Sequence, residues 1–175
     1  NIAVHLEDVD MAALVRQGLG ELDDKVAQSG LDFRVSLPAE GLIVRADGRQ
    51  LWRVMENLLS NVFKYAMPAS RVYIEVGDQG ERGVFTVKNI SAYELNGVEP
   101  EKLIERFQRG DAARHSEGNG LGLAIAKNLT ELQRGQFEIT IDGDLFKASV
   151  SLPKGASKAA DWQEEAQQPS EPWQE

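Results

Sequence analysis

Glu56-Asn57-Leu58-Leu59-Ser60-Asn61-Val62-Phe63-Lys64-Tyr65-Ala66 is the stretch that decides how this chain is read. On a helix at about 100° per residue, Asn57, Asn61, Lys64 and Tyr65 fall on one side, within an arc of roughly 100°. Leu51, Met55, Leu58, Leu59, Val62 and Ala66 make the neighbouring apolar face. Asparagine is a poor helix former, so two of them in mid-helix ask for a reason. Carboxamide oxygens can hold a metal ion and an ammonium can hold a phosphate, which is the chemistry of a nucleotide site.

The chain has 175 residues, enough for one domain with a substantial core. Its formal net charge of -9 argues against a general nucleic-acid binder, which needs a basic face. There are no cysteines, so disulfides, a thiolate nucleophile and a zinc–thiolate site are all excluded. No apolar run approaches the ~20 residues that span a bilayer. The start at Asn1-Ile2-Ala3-Val4 is that expected of a piece of a longer protein.

Outward from the central helix, Asp10 caps a predicted helix to about Gln28, stopped by Ser29-Gly30. Its expected inner stripe is Met11, Leu14, Val15, Leu19, Leu22 and Val26. Alternation predicts strands at Phe33–Leu37, Leu42–Ala46, Val72–Val76 and Val84–Val87, with a hairpin turn at Asp78–Glu81. Pro100 opens a short helix to Phe107. Gly120 launches another, with Leu121, Ala124, Ile125, Leu129 and Leu132 inward. Two more strands, Phe137–Ile141 and Phe146–Leu152, flank a turn at Asp142-Gly143-Asp144. The predicted fold class is α+β, a two-layer α/β sandwich with a mixed, mostly antiparallel sheet on about three helices. Residues 1–9 read as a linker, 10–153 as the domain, and 154–175 as an acidic flexible tail too polar for a core.

Two further segments carry chemistry. In Glu117-Gly118-Asn119-Gly120-Leu121-Gly122-Leu123, three alternating glycines sit before a helix. Bare backbone and the helix N-terminus together favour an anion. The spacing is neither that of a dinucleotide fold nor that of a P-loop, so residues 109–119 read as a lid over a different cradle. In Glu105-Arg106-Phe107-Gln108-Arg109-Gly110-Asp111, arginines beside a polar loop suit a terminal phosphate.

Taken together, the three segments resemble the ATP-binding domain of two-component sensor histidine kinases, within the GHKL superfamily (Bergerat fold) that includes DNA gyrase, MutL and heat-shock ATPases. Asn57 to Ala66 resembles the N box, Glu105 to Arg109 the Phe box, and Gly118 to Leu123 the second glycine box, over roughly residues 5–152. The resemblance implies ATP and Mg²⁺ as ligands. Asn61, helped by Asn57, would hold the metal; Lys64 would contact phosphate and Tyr65 would line the nucleoside pocket. Arg109 would reach the γ-phosphate. Gly118, Gly120 and Gly122 would approach the phosphates, with Leu121 and Leu123 anchoring their helix. No single catalytic residue is assigned. The hydrolysing relatives carry a Glu where Asn57 stands, and a carboxamide cannot take a proton from water at pH 7. Phosphoryl transfer to a side chain is therefore favoured over hydrolysis.

One box departs from the pattern. The usual Asp-x-Gly-x-Gly after a strand is replaced by Asn89-Ile90-Ser91-Ala92-Tyr93, so Asn89 would be the adenine reader and the wall would be stiffer or reshaped. A subset of histidine kinases has such a variant box. Neither His5, followed by Leu6, nor His115, followed by Ser116, resembles the phosphoacceptor, which is usually followed by an acidic residue. Arg106 reads as a surface residue, and Arg114 as a possible lid contact. Trp52 reads as packing, while Trp162 and Trp173 lie in the tail. The implied partners are the protein's own dimerisation and phosphoacceptor domain and a response-regulator receiver domain. The implied states are a monomeric isolated domain within a homodimeric parent, and a cytoplasmic domain of a membrane sensor. Two alternatives stay open: a GHKL ATPase or protein serine kinase, and a degenerate non-catalytic signalling module.

Overall fold

Asp10 joins the first strand to the first helix in the computed structural model, which describes residues 3–109 and 122–155, the side chains of residues 106–109 apart. Strand β1 (Glu7–Asp10) pairs antiparallel with β3 (Ile43–Ala46). The linker expected over residues 1–9 thus gives way to paired strand from Glu7. Glu-Asp-Val-Asp has no apolar alternation to reveal it. Its pairing rests on backbone hydrogen bonds and an exposed Asp8–Arg45 ion pair at 3.2 Å, the latter worth little in water.

Asp10 then accepts the Ala13 N–H and starts α1 (Met11–Glu21). The single helix expected to Gln28 is broken at Leu22, where φ is -97° and ψ is 12°, and α2 (Asp23–Ser29) begins. Asp23 and Asp24 sit in the first turn of α2, where negative charge meets the positive end of the helix dipole. Gly30, in the left-handed region at φ 68°, ends it. Met11 and Val15 are buried as expected, together with Ala12 and Gly18, while Leu14, Leu19, Leu22 and Val26 are half-buried. Gly18 is the contact point: a Cβ there would fall inside the Trp52 ring.

The central stretch is helix α3 (Gly48–Tyr65), capped by Asp47, whose side chain accepts from Arg49 and Gln50 N–H. Leu51, Val54, Met55, Leu58, Leu59 and Val62 are all 2 % exposed or less. Each fully buried aliphatic side chain of this kind contributes about 1.5–3 kcal/mol relative to exposure. Helix α3 lies between α1 on one side and α5 (Gly122–Leu132) on the other.

Below the helices runs a five-stranded sheet in the order β2 (Asp32–Ser36), β4 (Arg71–Gln79), β5 (Arg82–Ile90), β7 (Leu145–Pro153), β6 (Gln136–Asp142). Only the β2–β4 pair is parallel; the others are antiparallel. The rung Ile74–Val87–Ala148 and the rung Val76–Phe85–Val150 face the helices and are buried. The rung Tyr73–Lys88–Lys147 belongs to the polar outer face. The β4–β5 turn is tighter than expected: Gln79 pairs with Arg82, leaving Gly80-Glu81, and Gly80 supplies the positive φ of 74°. The result is the expected α+β two-layer sandwich, with five helices among the described residues where about three were expected.

Helix α4 (Pro100–Arg109) runs longer than expected and buries Leu103. Helix α5 is rotated from the expected face. Leu123, Ala126, Leu129 and Thr130 are buried, Ala124 and Ile125 are half-buried, and Leu132 is 43 % exposed. Thr130 tolerates burial because its hydroxyl donates to the Ala126 carbonyl at 2.7 Å.

Candidate functional site

The polar side of α3 follows from its apolar side. With Leu58 and Val62 committed to the core, the 100° step leaves Asn57, Asn61 and Tyr65 half-buried at the core margin and Lys64 exposed. The first turn of α5 meets this margin: a Cβ on Gly122 would lie 3.8 Å from both the backbone oxygen and the Oδ1 of Asn57. Gly122, the last glycine of the second glycine box, therefore reaches the N-box helix at its first asparagine. Lys64 borders a hollow of about 350 Å³ between α2 and α3, whose lining also includes Lys25, Ser29, Glu56 and Ser60.

Asn89 ends the inner face of β5 and is 3 % exposed. Its Nδ2 donates to the Ile90 carbonyl at 3.3 Å, while its Oδ1 is buried with no partner among the described residues. A buried acceptor left unpaired costs about 1–3 kcal/mol, so Asn89 is primed for a donor from outside the chain. The segment after it replaces glycines with fixed hydrogen bonds. Met67 N–H donates to the Ile90 carbonyl and Ala92 N–H to the Tyr65 carbonyl, each at 2.8 Å. Ser91 N–H reaches the Asp144 carbonyl at 2.8 Å and Leu95 N–H its Oδ1 at 2.9 Å. The end of α3 and the strand carrying Asn89 are thereby laced together, with the β6–β7 turn as a third support.

The far end of α5 is also tied. Gln133, fully buried, accepts the Asp47 N–H through Oε1 at 3.0 Å and donates through Nε2 to the Leu129 carbonyl at 2.9 Å. It fixes the start of α3 against the end of α5, a role that no motif in the sequence marked. Burial pushes the Asp47 carboxyl up, but N–H groups of His5, Gln50 and Arg49 outweigh it and hold the acid below its ordinary range.

A metal would find neutral oxygen donors in Asn57 and Asn61. Among the described residues, no three His, Cys, Asp or Glu side chains cluster as a metal cage. Carboxamide oxygens on a half-buried helix margin suit a hard cation that brings most of its ligands with it, as Mg²⁺ does on phosphates. Arg109 is the last residue of α4, and its side chain lies outside the described residues, as do Gly118, Gly120, Leu121, Arg114 and His115.

A family model for the histidine kinase-, DNA gyrase B-, and HSP90-like ATPases matches residues 46–159, more than half of the chain. The chain belongs to this family. The matched span contains α3, Asn89 and the glycine segment before α5. Within the family, this ATPase domain is similar to the sensor kinases. It is 31% identical over 158 residues to the sensor histidine kinase MtrB of Mycobacterium bovis, covering 86% of this chain and 27% of that protein. It is 30% identical over 141 residues to the circadian input-output histidine kinase CikA of Synechococcus elongatus, covering 78% of this chain and 19% of that protein. The chain thus spans less than a third of the length of these relatives. Among solved structures, the nucleotide-free catalytic domain of histidine kinase ThkA superposes with a TM-score of 0.71 at 21% identity, covering 86% of this chain and 96% of that one. Full-length ShkA in complex with AMPPNP gives a TM-score of 0.70 at 23% identity, covering 89% of this chain and 32% of that one. At such identities these two structures speak for the fold.

Proposed function

We propose that this GHKL domain binds Mg-ATP between α3, Asn89 and the first turn of α5, and donates the γ-phosphate to a histidine on a dimerisation domain of its parent. The phosphate then passes to the aspartate of a response regulator. The observation that carries this reading is the buried Oδ1 of Asn89, without a partner among the described residues and laced beside the polar margin of the N-box helix. An exocyclic amino group of adenine is the donor that this acceptor lacks.

The roles divide by chemistry. Asn61 and Asn57 offer neutral oxygens to Mg²⁺, which would neutralise phosphate charge when bound. Lys64, exposed at the margin, is free to swing its ammonium toward the phosphates. Gly122 brings the α5 backbone to Asn57, with Gly118, Gly120 and Leu121 assigned to the same cradle, and Arg109 to the γ-phosphate. The domain's work is positioning and charge neutralisation, the main protein contribution to phosphoryl transfer. Asn57 stands where a hydrolase needs its carboxylate base, so transfer to a side chain is favoured over attack by water. In this reading the isolated domain is a monomer, its folded unit takes in β1 from Glu7 as well as residues 10–153, and its parent is a homodimeric membrane sensor with the domain in the cytoplasm. Among the described residues no helix is long and apolar enough to cross a membrane.

The test is to mix the chain with γ-labelled ATP, Mg²⁺ and the parent's upstream segment. Acid-labile, base-stable label on that segment is the expected result. A stable phosphoester would instead identify a serine or threonine kinase, and release of free phosphate alone an ATPase. Calorimetry showing no uptake of Mg-ATP would leave a signalling module without nucleotide.

A further inference from the structure

Tyr93 is 62 % exposed, the most open large apolar side chain among the described residues. A lone exposed aromatic ring is ordinary. This one is held in place. Its own N–H donates to the Ser91 Oγ at 3.0 Å. The residues around it are fixed through Ala92 to the Tyr65 carbonyl, and through Ser91 and Leu95 to Asp144. Its ring meets Tyr65 edge to face, with centroids 6.0 Å apart and planes at 71°, a favoured aromatic geometry. The backbone immobilises a large ring yet leaves most of it to solvent.

Its neighbours say what the ring is for. Tyr65 closes the polar margin of α3, and Asn89, with its orphaned Oδ1, lies four residues upstream. Four residues span at most about 14 Å, and less around a bend. A planar heterocycle whose edge reads the Asn89 carboxamide therefore lies within reach of a rigid π-face. We infer that Tyr93 is a base-stacking residue: it supplies an aromatic wall for the adenine of ATP, in the place where the usual glycine-containing box supplies only backbone. This rests on the nucleotide reading above and adds a residue that selects for a base over a bare polyphosphate.

The test is calorimetry on the whole chain with two probes, Mg-ATP and Mg-tripolyphosphate, for Tyr93→Ala, Tyr93→Leu and Tyr93→Trp. Removing a stacked aromatic weakens base binding by about tenfold or more. Tyr93→Ala should raise the Kd for Mg-ATP by that factor and leave that for Mg-tripolyphosphate unchanged. Tyr93→Trp should restore Mg-ATP binding to within about threefold of the parent, since it keeps a π-face. Tyr93→Leu, which keeps bulk alone, should behave like Tyr93→Ala. The inference is overturned if Tyr93→Ala binds Mg-ATP as the parent does, if it loses both probes equally, or if Tyr93→Leu matches the parent. A parent chain that takes up no Mg-ATP would sink the nucleotide reading itself, and this inference with it.

Discussion

The two walls of the candidate site are built on different physical grounds. One is the polar margin of α3, whose Asn57, Asn61 and Tyr65 are placed by helical period because Leu58, Leu59 and Val62 behind them are buried. The other is the segment from Asn89 to Leu95, which has no regular structure beyond Ser91 and is placed bond by bond onto Tyr65 and Asp144. The first wall is as stable as the domain, since it cannot shift without opening the core. The second is as stable as a few hydrogen bonds, each worth about 0.5–1.5 kcal/mol net. A site with one wall of each kind can hold its metal ligands fixed while the base-binding side is tuned residue by residue.

The sharpest break of this contrast lies behind the helical wall. Leu58→Ala, at a position 1 % exposed, should cost about 2–5 kcal/mol in denaturant unfolding. Nucleotide affinity should fall only by the fraction unfolded. A loss below 0.5 kcal/mol would mean that the wall is not core-backed. Next is Asn61→Ala. Removing a positioned polar group from a phosphoryl-transfer site costs on the order of 100-fold in activity, with stability within about 0.5 kcal/mol of the parent. Full phosphotransfer by this variant would remove Asn61 from the site.

Asp47→Ala tests how α3 is launched. Loss of this cap should cost about 1–2 kcal/mol at pH 7. The Asp47 carboxyl is held below its ordinary value in the folded state, so its contribution is present above the unfolded value of about 3.9 and fades as the pH falls through the folded one. The difference between parent and variant should therefore shrink below about pH 4; a constant difference would contradict the assignment. The smallest effect belongs to the bonded wall. Asp144→Ala removes the acceptor for the Leu95 N–H and should cost no more than about 1 kcal/mol globally. Hydrogen exchange at the Leu95 amide should quicken while core amides of β5 stay protected. Uniform quickening would erase the distinction between the walls.

The same contrast explains what was legible beforehand. The N-box helix, the strand alternations and the cap at Asp10 were readable because each is a local pattern with a period or a cap chemistry. The face of α5 was misread because Thr130 and Gln133 are polar and yet buried: Thr130 bonds back to the Ala126 carbonyl one turn earlier, and Gln133 takes the distant Asp47 N–H that only the fold supplies. Strand β1 went unseen because a four-residue edge of charges pairs through its backbone. The break at Leu22 follows Gly18 and Gly20, whose carbonyls take the Leu22 N–H, but the apolar stripe runs on past them and masks it. Of the candidate site, Asn57 and Asn61 were singled out by spacing and Asn89 by the family resemblance, although it lies inside β5 rather than after a strand. The lacing of residues 90–95 is a property of tertiary contacts with Asp144, about fifty residues away, and no sequence window contains it.

The most direct test of the account is an NMR titration of the side-chain carboxamides with Mg-ATP. The NH₂ signals of Asn57, Asn61 and Asn89 should shift together along one saturating curve, while that of Asn128, exposed on α5, should stay put. Saturable binding that leaves Asn61 and Asn89 unmoved would place the nucleotide elsewhere and contradict the account.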